Sequence, residues 1–218
     1  MDTFDRLPKD LLIKLAIDLD LPDLLRWCQL NKRFNNLTCR NDTFWMNKFY
    51  HEYGKYSKVP YMSWKDFYKY VTTIDPDDLL IGGAKNNNLN YVKIALGRGA
   101  NINTLDDDAL QLASQNGHLS IVKYLAEHGA DINALDDWAL ILASRNGHLS
   151  IVKYLVKHGA DIHSRDYEAL KVASRNGHLS TIKYLVEHGA VVTGLSDWEL
   201  QHIRDKHPEV YNYLNSLQ

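Results

Sequence analysis

A chain of 218 residues that is 45% hydrophobic and 24% charged can bury a core. That excludes an intrinsically disordered polymer and leaves room for one large domain or two small ones. The formal net charge of -2 is unevenly spread: residues 1–74 carry 12 basic and 9 acidic groups, and residues 75–218 carry 13 and 18. Neither part has the basic stripe that a nucleic-acid backbone requires, and no apolar run approaches the ~20 residues of a membrane span.

The N-terminal stretch MDTFDRLPKD is charged and lacks the apolar run of a secretory signal, and the final NSLQ holds no prenylation cysteine. The expectation is a soluble protein of the cytoplasm. Cys28 and Cys39 are too few for a disulfide framework and are not at a zinc-ligand spacing. Both are read as buried free thiols.

In chain order, Pro8 suits the first turn of a helix whose stripe is Leu11, Leu12, Leu15 and Leu19. Leu21, Pro22 and Asp23 restart a second helix carrying Leu24, Leu25, Trp27 and Cys28. NKRFNNL is a third short helical piece, and Trp45 and Phe49, four apart, mark a fourth. The ordered set Leu7-Pro8, Asp10-Leu11, Leu15, Leu19, Asp23-Leu24, Leu30, Lys32-Arg33-Phe34, Leu37 and Trp45 resembles an F-box over about 45 residues. SWKDFYKY, Ser63 to Tyr70, is similar to the aromatic helix that trails many F-boxes. The resemblance implies a helical domain over residues 1–73 that docks a Skp-type adaptor and, through it, a cullin-RING ubiquitin ligase. Leu7, Pro8, Leu11, Leu15, Leu24, Trp27, Phe34 and Trp45 are the adaptor-binding residues it implies. Without the ordered match, the same leucines read as the core of a small helical cap.

From residue 74 the chain repeats itself every thirty residues. NGHL begins at Asn116, Asn146 and Asn176, and HGA begins at His128, His158 and His188. A worn copy, NNNLNYVKIALGRGANIN, precedes these, and a shortened one starts at Ser196. The units run over about 74–103, 104–133, 134–163 and 164–193, with a C-terminal cap over 194–218. Each unit reads as two helices. Asp106, Asp136, Asp166 and Ser196 stand where N-caps belong, and glycines such as Gly147 and Gly159 end the helices. One pair cannot bury both faces alone, so stacked pairs form a solenoid. The expected fold class is all-α.

NGHLSIVKYLVKHGADI resembles the second half of an ankyrin repeat. The period is about three residues shorter than usual, and DWALILA replaces the Thr-Pro-Leu-His box, so the connecting fingers are expected to be short. Repeats of this length are similar to those of large DNA viruses and some intracellular bacteria, which implies a host cytoplasm. The paired histidines are scaffold on this reading: stacking spaces equivalent side chains by ~10 Å, too far to share a metal. No nucleophile context or phosphate loop occurs; IGGAK, Ile81 to Lys85, lacks the rest of the Walker pattern. Neither metal nor cofactor nor catalysis is expected.

The columns that change between copies are the candidates for partner recognition. They supply Asp107, Asp108, Gln111, Asp137, Trp138, Ile141, Tyr167, Glu168, Lys171 and Trp198. The resemblance places them on the concave face, with Trp138, Tyr167 and Trp198 as aromatic anchors and the carboxylates steering a basic partner. The competing possibility is that the aromatics pack between repeats. The functional expectation is a substrate adaptor, with an unknown protein target held by the repeats. The alternative is a scaffold that masks a partner without recruiting a ligase.

Overall fold

A computed structural model of the chain describes residues 8–18, 24, 26, 28, 32–53, 63–192 and 195–217. The architecture is all-α, and no strand occurs among the described residues. The chain divides into two compact units between Asp75 and Pro76.

In the first unit, α1 is Lys9–Asp18, α2 Lys32–Leu37, α3 Asp42–Tyr53 and α4 Trp64–Thr73. Asn41 opens α3, its side-chain oxygen accepting from the backbone N–H groups of Thr43 and Phe44 at 3.0 and 3.3 Å. Ser63 caps α4 by accepting from Asp66 N–H at 3.1 Å. The core comprises Leu12 and Ala16 of α1, Phe44 and Trp45 of α3, and Phe67, Tyr68 and Val71 of α4. Trp45 lies 5.1 Å from the Tyr68 ring and donates from Nε1 to the Cys39 carbonyl at 3.2 Å. Burial of each such ring contributes about 2–3 kcal/mol.

A charged group is enclosed with them. Lys48 is fully buried; its Nζ donates to the Ile17 carbonyl at 2.8 Å and to Glu52 at 2.6 Å. The Tyr68 hydroxyl donates to the same carboxylate at 2.8 Å. The charge thus ties α1, α3 and α4 together.

The cysteine expectation is overturned. Cys28 and Cys39 form a disulfide, with Cα atoms 6.1 Å apart and both residues buried. The turn after α2 carries Cys39 back against the helical backbone at Cys28, a separation that suits the bridge. Closing so short a loop is worth about 3 kcal/mol, and Cys28→Ser should lose that much stability in the first unit. A denaturant melt of the oxidised wild type against the variant measures it; coincident curves would contradict it.

The second unit contains five helix pairs. These are α5 (Pro76–Lys85) with α6 (Leu89–Gly97), α7 (Asp108–Gln115) with α8 (Leu119–Glu127), and α9 (Ala134–Arg145) with α10 (Leu149–Lys157). Then follow α11 (Ser164–Arg175) with α12 (Leu179–Glu187), and α13 (Asp197–Lys206) with α14 (Pro208–Asn215). The first helices of the pairs stack in one row, and α6, α8, α10 and α12 stack in a second. Identical columns fill the space between: Leu110, Leu140 and Leu170 from one row, and Leu125, Leu155 and Leu185 from the other. The IGGAK segment lies inside α5. A Cβ on Gly83 would sit 2.9 Å from Val92 N, so this glycine lets α6 approach α5.

The N-cap column holds only at its end. Ser196 and Glu199 form a reciprocal capping box at the start of α13. Asp106, Asp136 and Asp166 do not cap. Each is the middle of three consecutive left-handed residues: Leu105–Asp107 (φ 49, 56, 66°), Leu135–Asp137 (φ 51, 51, 60°) and Arg165–Tyr167 (φ 48, 56, 60°). The right-handed parts of α9 and α11 begin only after these turns. Such a residue costs about 1–2 kcal/mol, least for aspartate, so this short turn must be held by its surroundings.

Candidate protein-interaction face

Two of the three left-handed turns are fastened to the loop that closes the same repeat. Asp107 is 4% exposed and Asp137 5% exposed. Their Oδ1 atoms accept the backbone N–H of Asp131 at 3.0 Å and of Asp161 at 2.9 Å. Asp77 does the same for Asn101 in the first pair, at 2.7 Å. Burial pushes the carboxyls of Asp107 and Asp137 above the ordinary range, against the pull of the N–H each accepts. These residues therefore clasp the start of a repeat to its closing loop and do not form an exposed acidic face. Gln111, buried, donates to the Asp106 carbonyl, and Ile141 is buried core. Four of the ten residues assigned to the target face are thus inside the array.

A raised carboxyl pKa favours the folded state at low pH; that contribution is present below the ordinary value of 3.8 and is lost as pH rises through the raised pKa. Asp137→Asn retains an acceptor for Asp161 N–H without the buried charge. It should equal or exceed wild-type stability at pH 7, with the difference vanishing below 3.8. Asp137→Ala, which orphans the N–H, should lose about 1–3 kcal/mol. Thermal melts at both pH values check this; an Asn variant as damaged as the Ala variant would contradict it.

The other six face residues reach solvent to different degrees. Trp198 is 67% exposed and stacks on His202 at 5.7 Å. Trp138 is half-buried, with Arg145 and Arg165 5.6 and 5.0 Å from its ring centre. Tyr167 meets His163 edge-on at 5.2 Å. Glu168 accepts from Arg175 at 2.6 Å, Lys171 donates to Asp166 at 2.6 Å, and Asp108 is half-buried. Glu199, on α13, is held below the usual carboxylate range: the Ser196 N–H and hydroxyl and nearby Arg175 outweigh the burial that raises it. Arginines beside aromatics and carboxylates line this face, a feature hidden in the sequence because the partners are seven to twenty-nine residues apart.

The histidines act as joints. His118, His148 and His178 donate from Nε2 to carbonyls of the preceding repeat: Lys85 at 3.2 Å, Gln115 at 3.0 Å and Arg145 at 2.9 Å. A carbonyl only accepts, which fixes the proton on Nε2. His128, His158 and His188 instead donate from Nδ1 to the tyrosine carbonyl four residues back, at 2.7–2.8 Å, and pack on that tyrosine ring at 3.9 Å. A lysine of the preceding repeat lies over each of these tyrosines, as Lys123 does over Tyr154 at 5.8 Å. The sequence reading missed His207, whose ring packs against Gly177 as His178 packs against Gly147. The one-residue deletion in the last copy had hidden it.

Among the adaptor-binding residues, Pro8 and Leu11 are exposed at the start of α1. Leu24 and Trp45 are fully buried in the core of the first unit and offer no surface to an adaptor. Leu7 and Trp27 lie outside the described residues, as do the side chains of Leu15 and Phe34. Most of the expected second helix is outside as well; residues 24, 26 and 28 are helical. No helix among the described residues is long and apolar enough to cross a membrane.

Models of ankyrin repeats match residues 63–136, 79–166 and 134–195. No curated protein matches the chain. The three overlapping matches span more than half of the sequence, from the start of α4 through the first four stacked helix pairs, so the chain belongs to the ankyrin-repeat family and its second unit is a protein–protein interaction module.

Proposed function

We propose that the chain is the substrate-recognition subunit of a Skp/cullin/F-box ubiquitin ligase. The array holds a protein target and the N-terminal unit docks the adaptor. Ankyrin arrays are typically non-catalytic scaffolds, so ubiquitin transfer falls to partner subunits, which gain from the raised local concentration of target lysines. The observation that carries this reading is the split of the first helix. Leu12 and Ala16 are buried in the unit's core while Pro8 and Leu11 remain exposed, an apolar pair left at the helix start for another protein. The Leu-Pro and Asp-Leu elements of the F-box-like pattern fall at this same spot.

The test is capture of a purified Skp-type adaptor by the full chain, with a Pro8→Ala/Leu11→Ala variant beside it. Both changed residues are exposed, so the variant keeps its fold, and binding should fall at least tenfold. Equal capture by both proteins, or capture by neither, would overturn the proposal. Capture by neither would leave the second reading, a binding-only scaffold. That reading draws on the complete burial of Leu24 and Trp45, which puts two F-box-like positions in a self-sufficient core.

A further inference from the structure

Three left-handed turns stand side by side along the array, and each carries an exposed aspartate at its centre. Two of these aspartates are paired from within the chain. Arg165 reaches back to the preceding turn, donating to the Leu135 carbonyl at 3.1 Å and lying 3.5 Å from the Asp136 carboxylate. Asp166 is paired with Lys171 at 2.6 Å. The first turn lacks both devices. The position equivalent to Arg165 is Leu135, and the position equivalent to Lys171 is Gln111. Among the described residues, no cationic side chain pairs with Asp106. The position of Trp138, beneath the Arg165 guanidinium, is Asp108 in this repeat, which adds a second carboxylate.

The same edge is apolar. Leu105 is 68% exposed and Leu135 46% exposed, both thrust outward by their left-handed backbone. An array that spends strain to expose two leucines beside an unneutralised carboxylate offers a surface of defined chemistry.

Resting on the reading of the array as a protein-binding module, we infer that the Leu105–Asp106 and Leu135 edge docks a basic, leucine-bearing extended segment of a partner protein. A partner guanidinium takes the place over Asp106 and the Leu105 carbonyl that Arg165 takes over Asp136 and the Leu135 carbonyl. The partner's aliphatic side chains cover Leu105 and Leu135. Repeats ~10 Å apart match about three residues of extended chain, so one short segment spans both turns. Arg165 is the internal model for the occupant, and it shows that the slot accepts a guanidinium that reaches the carbonyl and the carboxylate together.

The test uses the full chain and a fluorescent nine-residue peptide, Gly-Ser-Arg-Leu-Arg-Leu-Arg-Ser-Gly, with its glutamate-for-arginine counterpart, in an anisotropy titration. The arginine peptide should bind and the glutamate peptide should not. Asp106→Asn should weaken binding about tenfold, the loss of a charge-assisted contact. Leu135→Arg should close the slot with the chain's own cation and weaken binding at least as much. Position 165 already holds arginine at nearly the same backbone angle, φ 48° against 51°, so this variant should fold, and a thermal melt confirms it. Equal binding by wild type and Leu135→Arg, or no preference between the two peptides, would overturn the proposal. Affinity purification with the same variant separates that failure from failure of the array reading. Proteins retained equally by wild type and Leu135→Arg leave the array a binding module and refute the edge, whereas an array that retains nothing refutes both.

Discussion

Gly147→Ala is expected to cost the repeat array about 3 kcal/mol, a loss out of proportion to one methyl group. Two effects add. The residue has φ 70°, where an alanine is strained by about 1 kcal/mol relative to glycine. A Cβ there would also lie 2.5 Å from Nδ1 of the His178 ring, which must move. That ring donates to the Arg145 carbonyl at 2.9 Å, so displacing it breaks an inter-repeat bond. A double-mutant cycle isolates the second effect. In a His178→Ala background the glycine substitution should cost only its backbone term, giving a coupling of about 1–2 kcal/mol. Additive losses would mean that glycine and histidine do not form one joint.

Lys48→Ala is expected to remove about 3 kcal/mol from the first unit, more than most single truncations at its surface. The ammonium is wholly buried, and its loss removes a donor from the Ile17 carbonyl and one from Glu52, which also accepts from Tyr68. Glu52→Gln, which keeps an acceptor for both neighbours, should cost about 1 kcal/mol. Hydrogen exchange of the peptide containing Trp45 reads the unit directly. Exchange that accelerates in Lys48→Ala and barely changes in Glu52→Gln supports the buried network; equal protection in all three proteins would contradict it.

The repeat was legible because its apolar columns obey one period. Leu110, Leu140 and Leu170 and their partners Leu125, Leu155 and Leu185 occupy the same buried sites in successive copies. What did not follow from the sequence is where aspartate goes. Asp106, Asp136 and Asp166 sit ahead of an apolar helical run, as N-caps do, but the backbone turns left-handed there and the caps are lost. Asp107 and Asp137 vary in the column and look solvent-facing. Their partners are backbone N–H groups 24 residues ahead, in a loop whose position depends on the stack itself. The bridge between Cys28 and Cys39 was missed for a similar reason: a count of two argues against a framework but says nothing of one closed turn. Trp138 and Tyr167 share both properties weighed for them, since each is half-buried and contacted by neighbouring repeat residues.

The proposed adaptor role divides the chain's work between Pro8 and Leu11 on one unit and the array edge on the other. Affinity purification from cells followed by mass spectrometry, with the full chain beside its Pro8→Ala/Leu11→Ala variant, tests that division most directly. The predicted result is that a Skp-type adaptor and a cullin accompany the wild type and are lost from the variant, while proteins held by the array remain with both. Identical partners on the two proteins, with no adaptor or cullin on the wild type, would contradict it.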